Sequence, residues 1–482
     1  MATTIRSRSN SEGGHIRSPP KPKPSSSRVP VTPSGSEFVN IGSPEENLLE
    51  TYFVLLSKFS FDRAKEQCDR EREIKSGTGG TNWCELMSLM SRLCVAEMNY
   101  FSLSFMERAA TFRLVRREPL KAMYDSMILD LKRIHEVYMN RRGGSDFSWE
   151  RKMTELVTSL LEYTAAKRDM TDFYVHFEVT NSCHLDYKQF ERYLKDMLER
   201  YKDSFQHPYL RPVKTTFQRE LTVLGDLLQA QISISEWQFL PAILALQAVD
   251  SKLSQWKGLV PLGSQGNPER RQVQKSIRSP PQSPPPSGGV PYLYKWLCKF
   301  HVTLLAKFTL YFHDVLSEHA SVYDMKHLSA KLDVDFLGWL SSLIRHTPVT
   351  AVMFVFNSTG VPDFKGPRYR FPDSPAPTLT GLNSYPFMIT IPHDFEVYHH
   401  RANIISMIIE KGGQLNSTTQ PVSQHDDNLH CVYYLTQVEP LITMVCIATI
   451  KRRERDNRVT THITDIAAQL RNIHIATLLR PS

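Results

Sequence analysis

The chain has 482 residues, of which 41% are hydrophobic, and a formal net charge of +8 at pH 7. This length allows two or three domains, and the hydrophobic fraction is ordinary for a soluble globular protein. The excess of basic residues is confined to residues 1–36 and 257–291, so the rest of the chain carries a net charge of about −1, which argues against a nucleic-acid groove.

Residues 1–42 are rich in Ser, Pro, Gly and Arg and hold six Arg or Lys among residues 1–36. Such a segment cannot bury enough apolar surface to offset the entropy lost on ordering, so we expect a disordered basic tail. A proline follows a serine or threonine at three positions in or next to it, and these are candidate phosphorylation sites: Ser18, Thr32 and Ser43. The alternative is a solvated tail without a function.

Residues 43–256 are predicted to form a helical bundle. Ser43, Pro44 and Glu46 make a capping box with a preset first turn, so order is expected to begin there. Apolar residues then recur at helical spacing with mostly short connections, which is typical of antiparallel helices. The predicted helices include residues 83–112, 118–140, 146–179, 186–201 and 236–256, the last with Pro241 shifting its start or kinking it.

Residues 257–290 contain PPQSPPP and SGGVP and are predicted to be a proline-rich linker. Ser279 and Ser283 precede prolines and are further candidate phosphorylation sites. A partner that reads proline-rich ligands is one interpretation, and a plain spacer is the other.

Residues 291–330 are predicted to be a bridging helix that packs between the bundle and the C-terminal part. One apolar stripe runs along it, and a second one widens that face. Several charged side chains interrupt it, so a membrane span is not expected, and the lysines are expected to extend outward to water. The stripe consists of Leu293, Leu297, Phe300, Leu304, Phe308, Tyr311 and Val315, the second of Trp296, Leu305 and Phe312, and the lysines are Lys295, Lys299 and Lys307.

Residues 331–482 change from helical to strand-like periodicity. The predicted order is α, β, β, α, β, β, α, which matches a five-stranded roadblock or profilin-like module if one short strand is hidden in the loops. We therefore predict an α+β fold, with an N-terminal helical bundle followed by a roadblock/profilin-like α/β module. The elements fall at residues 336–346, 349–356, 387–391, 399–410, 431–436, 441–450 and 459–471.

The sequence contains no nucleotide-binding glycine loop, no HExxH helix and no nucleophile elbow. His399 and His400 are adjacent and point apart on a helix, and the His425-Asp426-Asp427 triplet is expected in a solvent-facing polar loop. We therefore predict no enzymatic activity, no cofactor and no metal. A hydrolase that uses Cys431 or Cys446 with a nearby histidine is the remaining catalytic alternative.

The seven cysteines are scattered and include no CxxC pair, which predicts neither a disulfide framework nor a zinc site. The first residues lack the apolar run of a signal peptide, so a reducing, cytoplasmic location is expected.

A basic run near the C-terminus is a candidate contact for acidic lipid headgroups or for an acidic patch on a partner. The alternative is a charged turn that keeps the end of a sheet soluble. The run consists of Lys451, Arg452, Arg453 and Arg455. Large aromatic residues in the bundle indicate either core packing or an interface, and they include Phe101, Phe105, Phe112, Tyr163, Phe173 and Phe177.

Five segments, in consistent order between Leu48 and Leu478, read KFSFDRAKEQCDREREIKSG, FQHPYLRPVKTTFQREL, SEWQFLPAILALQAVDSKLSQW, LLAKFTLYFHDVLS followed by DMKHLSAK, and YYLTQVEPLITMVCI running into IKRRERD. They resemble the KICSTOR complex subunit 2 family of DUF2003-type proteins. The Ser/Pro-rich tail and the proline-rich linker depart from the family pattern.

This resemblance implies a helical domain followed by a roadblock-like domain, and a non-enzymatic scaffold or adaptor. Its expected partners are the other KICSTOR subunits and, through them, the GATOR-type GTPase-activating complex at the lysosomal surface. There the complex restrains TORC1 signalling when amino acids or glucose run short. The alternative is a regulatory module that binds a GTPase directly through the roadblock-like domain.

Overall fold

The computed structural model describes residues 43–480 except 77–80, 107–118, 141–146, 180–185, 259–289, 331, 362–363, 367–369, 371–374, 376, 378 and 450–456. The predicted disordered tail lies outside the described residues, as does nearly all of the predicted linker. The described residues from Pro44 onward form one compact unit. The predicted division of this unit into separate domains stays a prediction.

The first half of the described chain is helical. Its eight α-helices are α1 (Pro44–Ser57), α2 (Phe61–Ser76), α3 (Thr81–Phe101), α4 (Leu120–Asn140), α5 (Phe147–Val179), α6 (Tyr187–Arg200), α7 (Arg211–Ser235) and α8 (Phe239–Lys257). Helix α1 begins directly after Ser43, as the capping signal predicts. Asp186 caps α6, because its carboxylate accepts a hydrogen bond from the backbone N–H of Gln189 at 3.1 Å.

Two helix ends differ from the sequence prediction for backbone reasons. Helix α3 ends at Phe101 rather than at residue 112, and Leu103 then takes a left-handed conformation with φ +54°. Helix α8 starts at Phe239, so Pro241 lies in its first turn, where a missing N–H leaves no hydrogen bond unmade. The shifted start is the outcome that this proline predicts.

The predicted bridging segment forms α9 (Tyr292–Tyr311), α10 (His313–His319) and α11 (Val322–Ala330). All seven residues of its main predicted stripe are buried, as are Trp296 and Phe312 of the second one. Helix α9 contacts α7 and α8. Tyr311 at its end packs against Phe354 of the sheet, with ring centroids 5.8 Å apart. Helix α9 is therefore buried between the helices of the first half and the sheet.

The C-terminal part holds α12 (Phe336–His346), β1 (Val349–Phe356), β2 (Phe387–Ile391), α13 (Arg401–Glu410), α14 (Gly412–Ser417), β3 (Val422–Asp426), β4 (Cys431–Glu439), β5 (Ile442–Thr449), α15 (Asn457–Leu470) and α16 (Ile473–Thr477). The five strands form one antiparallel sheet in the order β2-β1-β5-β4-β3. Strand β3 is a short strand in a stretch where the sequence pattern locates no strand. The α+β class is confirmed.

Alternate residues of the strands serve two cores. Val352, Phe354 and Met444 belong to the large core that the sheet shares with the helical half of the chain. Met353 and Val445 belong to a smaller core on the opposite face, which α13 and α14 cover. The sheet therefore packs against the helical half of the chain through one of its two faces.

Among the described residues, no helix combines the length and the apolar character needed to cross a membrane.

Candidate functional site

A cluster of buried polar side chains lies where the helices meet the sheet, and we call it the polar junction. Its members come from elements that are far apart in sequence. They are Gln231 of α7, Lys307 of α9, Glu439 at the end of β4, and Arg471 and Asn472 in the turn between α15 and α16. Each of the five is at most 5% exposed.

An ion pair between Lys307 and Glu439 forms the centre of the polar junction. Gln231 bridges the two partners. Its side-chain oxygen accepts a hydrogen bond from Lys307 Nζ at 3.0 Å, and its Nε2 donates to both oxygens of Glu439 at 3.2 and 3.1 Å. Both charges are thus hydrogen-bonded as well as paired, which is what burial of an ion pair requires.

Asn472 joins the C-terminal turn to two bundle helices. Its Nδ2 donates to Gln231 Oε1 at 2.8 Å and to the Tyr187 hydroxyl of α6 at 3.3 Å. The residue has φ +57°, a left-handed conformation that asparagine adopts more readily than most side chains. The turn that redirects the chain from α15 to α16 therefore also places this amide against Gln231.

Arg471 ties the same turn to strand β4. Its Nε donates to the Gln437 carbonyl at 2.8 Å, and one terminal nitrogen donates to Thr436 Oγ1 at 3.0 Å. The other terminal nitrogen donates to the Thr419 carbonyl at 3.4 Å. A buried guanidinium is thus satisfied mainly by backbone and hydroxyl oxygens, and it fixes the C-terminal segment on the sheet.

Burial sets the ionisation behaviour of the central pair. It lowers the pKa of Lys307 and raises the pKa of Glu439, while the opposite charge of each partner acts in the other direction. Burial also raises the pKa of Tyr311 well above its usual range. The side chains around the pair therefore disfavour isolated charge, and the pair holds its charges through mutual contact.

Aromatic rings pack beside the polar junction. Trp237 stacks on Tyr311 with ring centroids 5.2 Å apart, and it also packs on Phe356 of β1. Because these groups are buried in protein, the arrangement does not present a charged or nucleophilic group to a substrate. What the geometry can do is fix the position of the sheet on the helices.

The predicted outward extension of the lysines of α9 is wrong for Lys307, which is 0% exposed. Lys295 is exposed, and Lys299 is half-buried and pairs with Asp333. Lys307 differs from the other two lysines in the face of the helix on which it lies. Lys307 lies three and seven residues after Leu304 and Phe300 of the buried stripe, on the same helical face. The sequence carries no comparable signal for its partner Glu439.

The predicted contact residues Lys451, Arg452, Arg453 and Arg455 lie outside the described residues, beyond the end of β5. The candidate phosphorylation sites Ser18, Thr32, Ser279 and Ser283 lie outside them too, whereas Ser43 is a half-buried residue just before α1. These assignments stay predictions. Of the aromatic residues considered for an interface, Phe112 lies outside, Phe105 is partly buried, and Phe101, Tyr163, Phe173 and Phe177 are buried in the core.

The histidine motifs lie apart from the polar junction. His400 Nδ1 is 2.8 Å from the Tyr433 hydroxyl. His425 is exposed as predicted, but it lies in β3 rather than in a loop. Within the described residues, no group of three or more His, Cys, Asp or Glu side chains is arranged to hold a metal ion.

The two cysteines of the hydrolase alternative are buried in neighbouring strands. Burial raises the pKa of Cys431 and raises that of Cys446 to about 12. A nucleophilic cysteine needs the opposite shift, toward the thiolate. The environment of both thiols therefore argues against this alternative.

The similarity to known proteins extends over the whole described chain. A family model described as "KICSTOR complex C12orf66 like" matches residues 40–482. The chain belongs to this family. The curated "KICSTOR subunit 2" of Xenopus laevis is 30% identical over 443 residues, which cover 91% of this chain and 97% of that protein. The "KICSTOR subunit 2" of Danio rerio is 30% identical over the same length, with 91% and 96% covered.

The match to this KICSTOR family includes every element of the polar junction, from Gln231 to Asn472. It therefore covers the bundle helices, the bridging helix and the sheet together. The predicted membership of the family is confirmed.

Proposed function

We propose that this chain is a non-enzymatic scaffold subunit of a KICSTOR-like complex. It acts in the cytoplasm, peripherally at the lysosomal membrane, by recruiting the GATOR-type GTPase-activating complex. Recruitment raises the effective concentration of that activator near its targets and so restrains TORC1 signalling when amino acids or glucose are scarce. Its direct partners are other KICSTOR subunits.

The observation that carries this proposal is the family match over residues 40–482, together with relatives named as KICSTOR subunits. The polar junction supports it, because its charges hold helices and sheet in one arrangement and are closed to solvent. A scaffold needs a rigid body that presents fixed surfaces, and reactive groups are not required for tethering.

We further propose that α12 to α15 form a roadblock-like module. The element order α-β-β-α-α-β-β-β-α and the strand order β2-β1-β5-β4-β3 support this assignment. The module is then joined to the bundle through the sheet face that carries Phe354 and Met444.

Affinity purification tests the scaffold function. The tagged chain, expressed in cells that lack their own copy, is expected to recover the other KICSTOR subunits and the GATOR-type complex. TORC1 activity should fall on amino-acid withdrawal in these cells and stay high in cells without the chain. Normal assembly and normal nutrient response without the chain would contradict the proposal.

A second function is direct binding of a GTPase by the roadblock-like module, and the sheet topology favours it. Ile409 of α13 is 59% exposed on the outer side of that module, and Leu129 of α4 is 66% exposed on the bundle. Pull-down of a candidate GTPase should depend on its nucleotide state, and I409S should weaken it while L129S does not. Equal recovery of both nucleotide states would remove this function.

A further inference from the structure

A second buried charge cluster lies inside the helical bundle, away from the polar junction. It consists of Glu97 of α3, Lys167 of α5 and Glu220 of α7, each at most 1% exposed. We call it the bundle triad. Lys167 Nζ lies 3.4 Å from Glu97 Oε2 and 3.9 Å from Glu220 Oε2. Both distances exceed the 2.7–2.9 Å or so typical of a charge-assisted hydrogen bond between an ammonium and a carboxylate.

Four tyrosine hydroxyls satisfy three of the four carboxylate oxygens. Tyr100 and Tyr174 donate to Glu220 Oε1 at 2.5 and 2.8 Å. Tyr124 donates to Glu97 Oε1 at 3.1 Å and Tyr163 to Glu97 Oε2 at 3.0 Å. The remaining oxygen, Glu220 Oε2, accepts no hydrogen bond from the described residues.

The ammonium of Lys167 is placed against aromatic rings on one side. Its Nζ is 3.3 Å from the ring centroid of Tyr100 and 4.3 Å from that of Phe101. A ring face attracts the cation but accepts no ordinary hydrogen bond. An ammonium has three N–H donors, and the rings do not provide a close oxygen acceptor for them.

A small cavity of about 10 Å³ has Lys167 in its lining, and its volume is close to the space that one water molecule requires. Its polar lining includes the side chains of Glu97, Tyr163, Lys167 and Thr216. A buried water is stable when it finds two to four polar partners, whereas purely apolar cavities of this kind stay dry. Here the lining residues carry an ammonium, a carboxylate and two hydroxyls.

We propose that this cavity binds one ordered water molecule, which accepts a hydrogen bond from Lys167 and donates to Glu97. The water supplies the close oxygen that the ammonium lacks and links α3 to α5. It is therefore part of the folded core of the bundle.

Hydroxyl-radical footprinting of the full chain by X-ray radiolysis tests this site in solution. Radicals form from bound water, so a buried ring beside a bound water is oxidised while an equally buried dry ring is protected. Phe217 lines the cavity and Phe173 does not, and both are 2% exposed. We expect Phe217 to be oxidised several-fold faster than Phe173. Equal rates would overturn the proposal.

A variant that fills the cavity provides the matched control. Val213 also lines it, and V213I adds one methylene in the space of the water. Oxidation of Phe217 should then drop to the rate of Phe173, while circular dichroism shows the chain still folded. A crystal structure of the unmodified chain should show one density peak within hydrogen-bond distance of Lys167 Nζ, and a cavity without a peak would also overturn the proposal.

Discussion

Lys307 and Glu439 bring opposite charges into a region where both side chains are at most 3% exposed. Removing two ions from water costs several kcal/mol each, and their attraction repays this cost only when the remaining hydrogen bonds are made. Gln231 makes those bonds to both partners. The pair therefore adds little net stability. Its main effect is to destabilise any arrangement of helix and sheet that separates the two charges.

Loss of one partner of this pair should be far more harmful than loss of both. We expect K307M to destabilise the fold by about 3–5 kcal/mol, because Glu439 is left as an uncompensated buried charge. The double variant K307M/E439L should recover most of that loss. Chemical denaturation followed by circular dichroism measures both values.

Lys299, on the same helix as Lys307, forms a surface pair with Asp333 that is the matched control. K299M should cost less than about 1 kcal/mol, since exposed ion pairs contribute little. If K307M/E439L were no more stable than K307M, the account of this pair would be wrong.

The buried histidine of α9 should make stability depend on pH. His301 Nε2 lies 3.1 Å from the Leu246 carbonyl, and burial lowers the pKa of His301. The unfolded chain then binds a proton more readily than the folded one, so stability is present above the unfolded pKa of about 6.5 and is lost as the pH falls below it. The melting temperature should decrease between about pH 7.5 and about pH 5.5.

The variant H301Q keeps a donor for the Leu246 carbonyl and removes the titrating group, so the decrease should become smaller. C298S, one turn earlier on the same helix, should leave the size of the decrease unchanged. An H301Q chain with the full pH dependence would show that other groups cause it.

The sequence predicts the burial of some of these residues and not of others, for a physical reason. The stripe of α9 follows from spacing alone, so Leu304 and Phe308 are correctly predicted as buried. Lys307 is not, since a lysine usually extends to water and its burial depends on Glu439, 132 residues later in the chain. Periodicity within one element carries no information about such a partner.

The turn between α15 and α16 combines a backbone and a side-chain requirement in Asn472. Its left-handed φ favours glycine or asparagine, and its Nδ2 donates to Gln231 and Tyr187. N472G should therefore lose only the hydrogen bonds, while N472A should lose them and also strain the turn. We expect the order of stability wild type, N472G, N472A, with about 1 kcal/mol between the two variants.

Thermal unfolding of the three chains measures this order. T477A, on an exposed side chain of α16, serves as a control that should not change stability. If N472A were as stable as N472G, the left-handed conformation of this turn would not matter to the fold.

At the level of elements, the strands are predicted with nearly correct bounds because their apolar runs are continuous and bounded by turn residues. Strand β1 and strand β2 match the prediction, and β4 runs three residues further, to Glu439. Strand β3 has the sequence VSQHD, whose polar residues resemble a loop. Its strand conformation comes from pairing with β4, which local sequence does not report.

On the scale of the whole molecule, the polar junction joins what the sequence predicts as two domains. Hydrogen bonds from α7, α9 and the C-terminal turn converge on Glu439 and Gln231, and the helices share one large core with a face of the sheet. Such a body can hold partner surfaces at fixed distances. Helices and sheet should therefore unfold as one cooperative unit.

Native-state hydrogen exchange tests this claim most directly, by comparing the amides of α9 with those of β4 at increasing denaturant. If the polar junction makes one cooperative body, the slowest amides of both elements will exchange with the same free energy and the same denaturant dependence. Exchange of β4 at a clearly lower free energy than α9 would show that the sheet opens as a separate unit and would contradict the account.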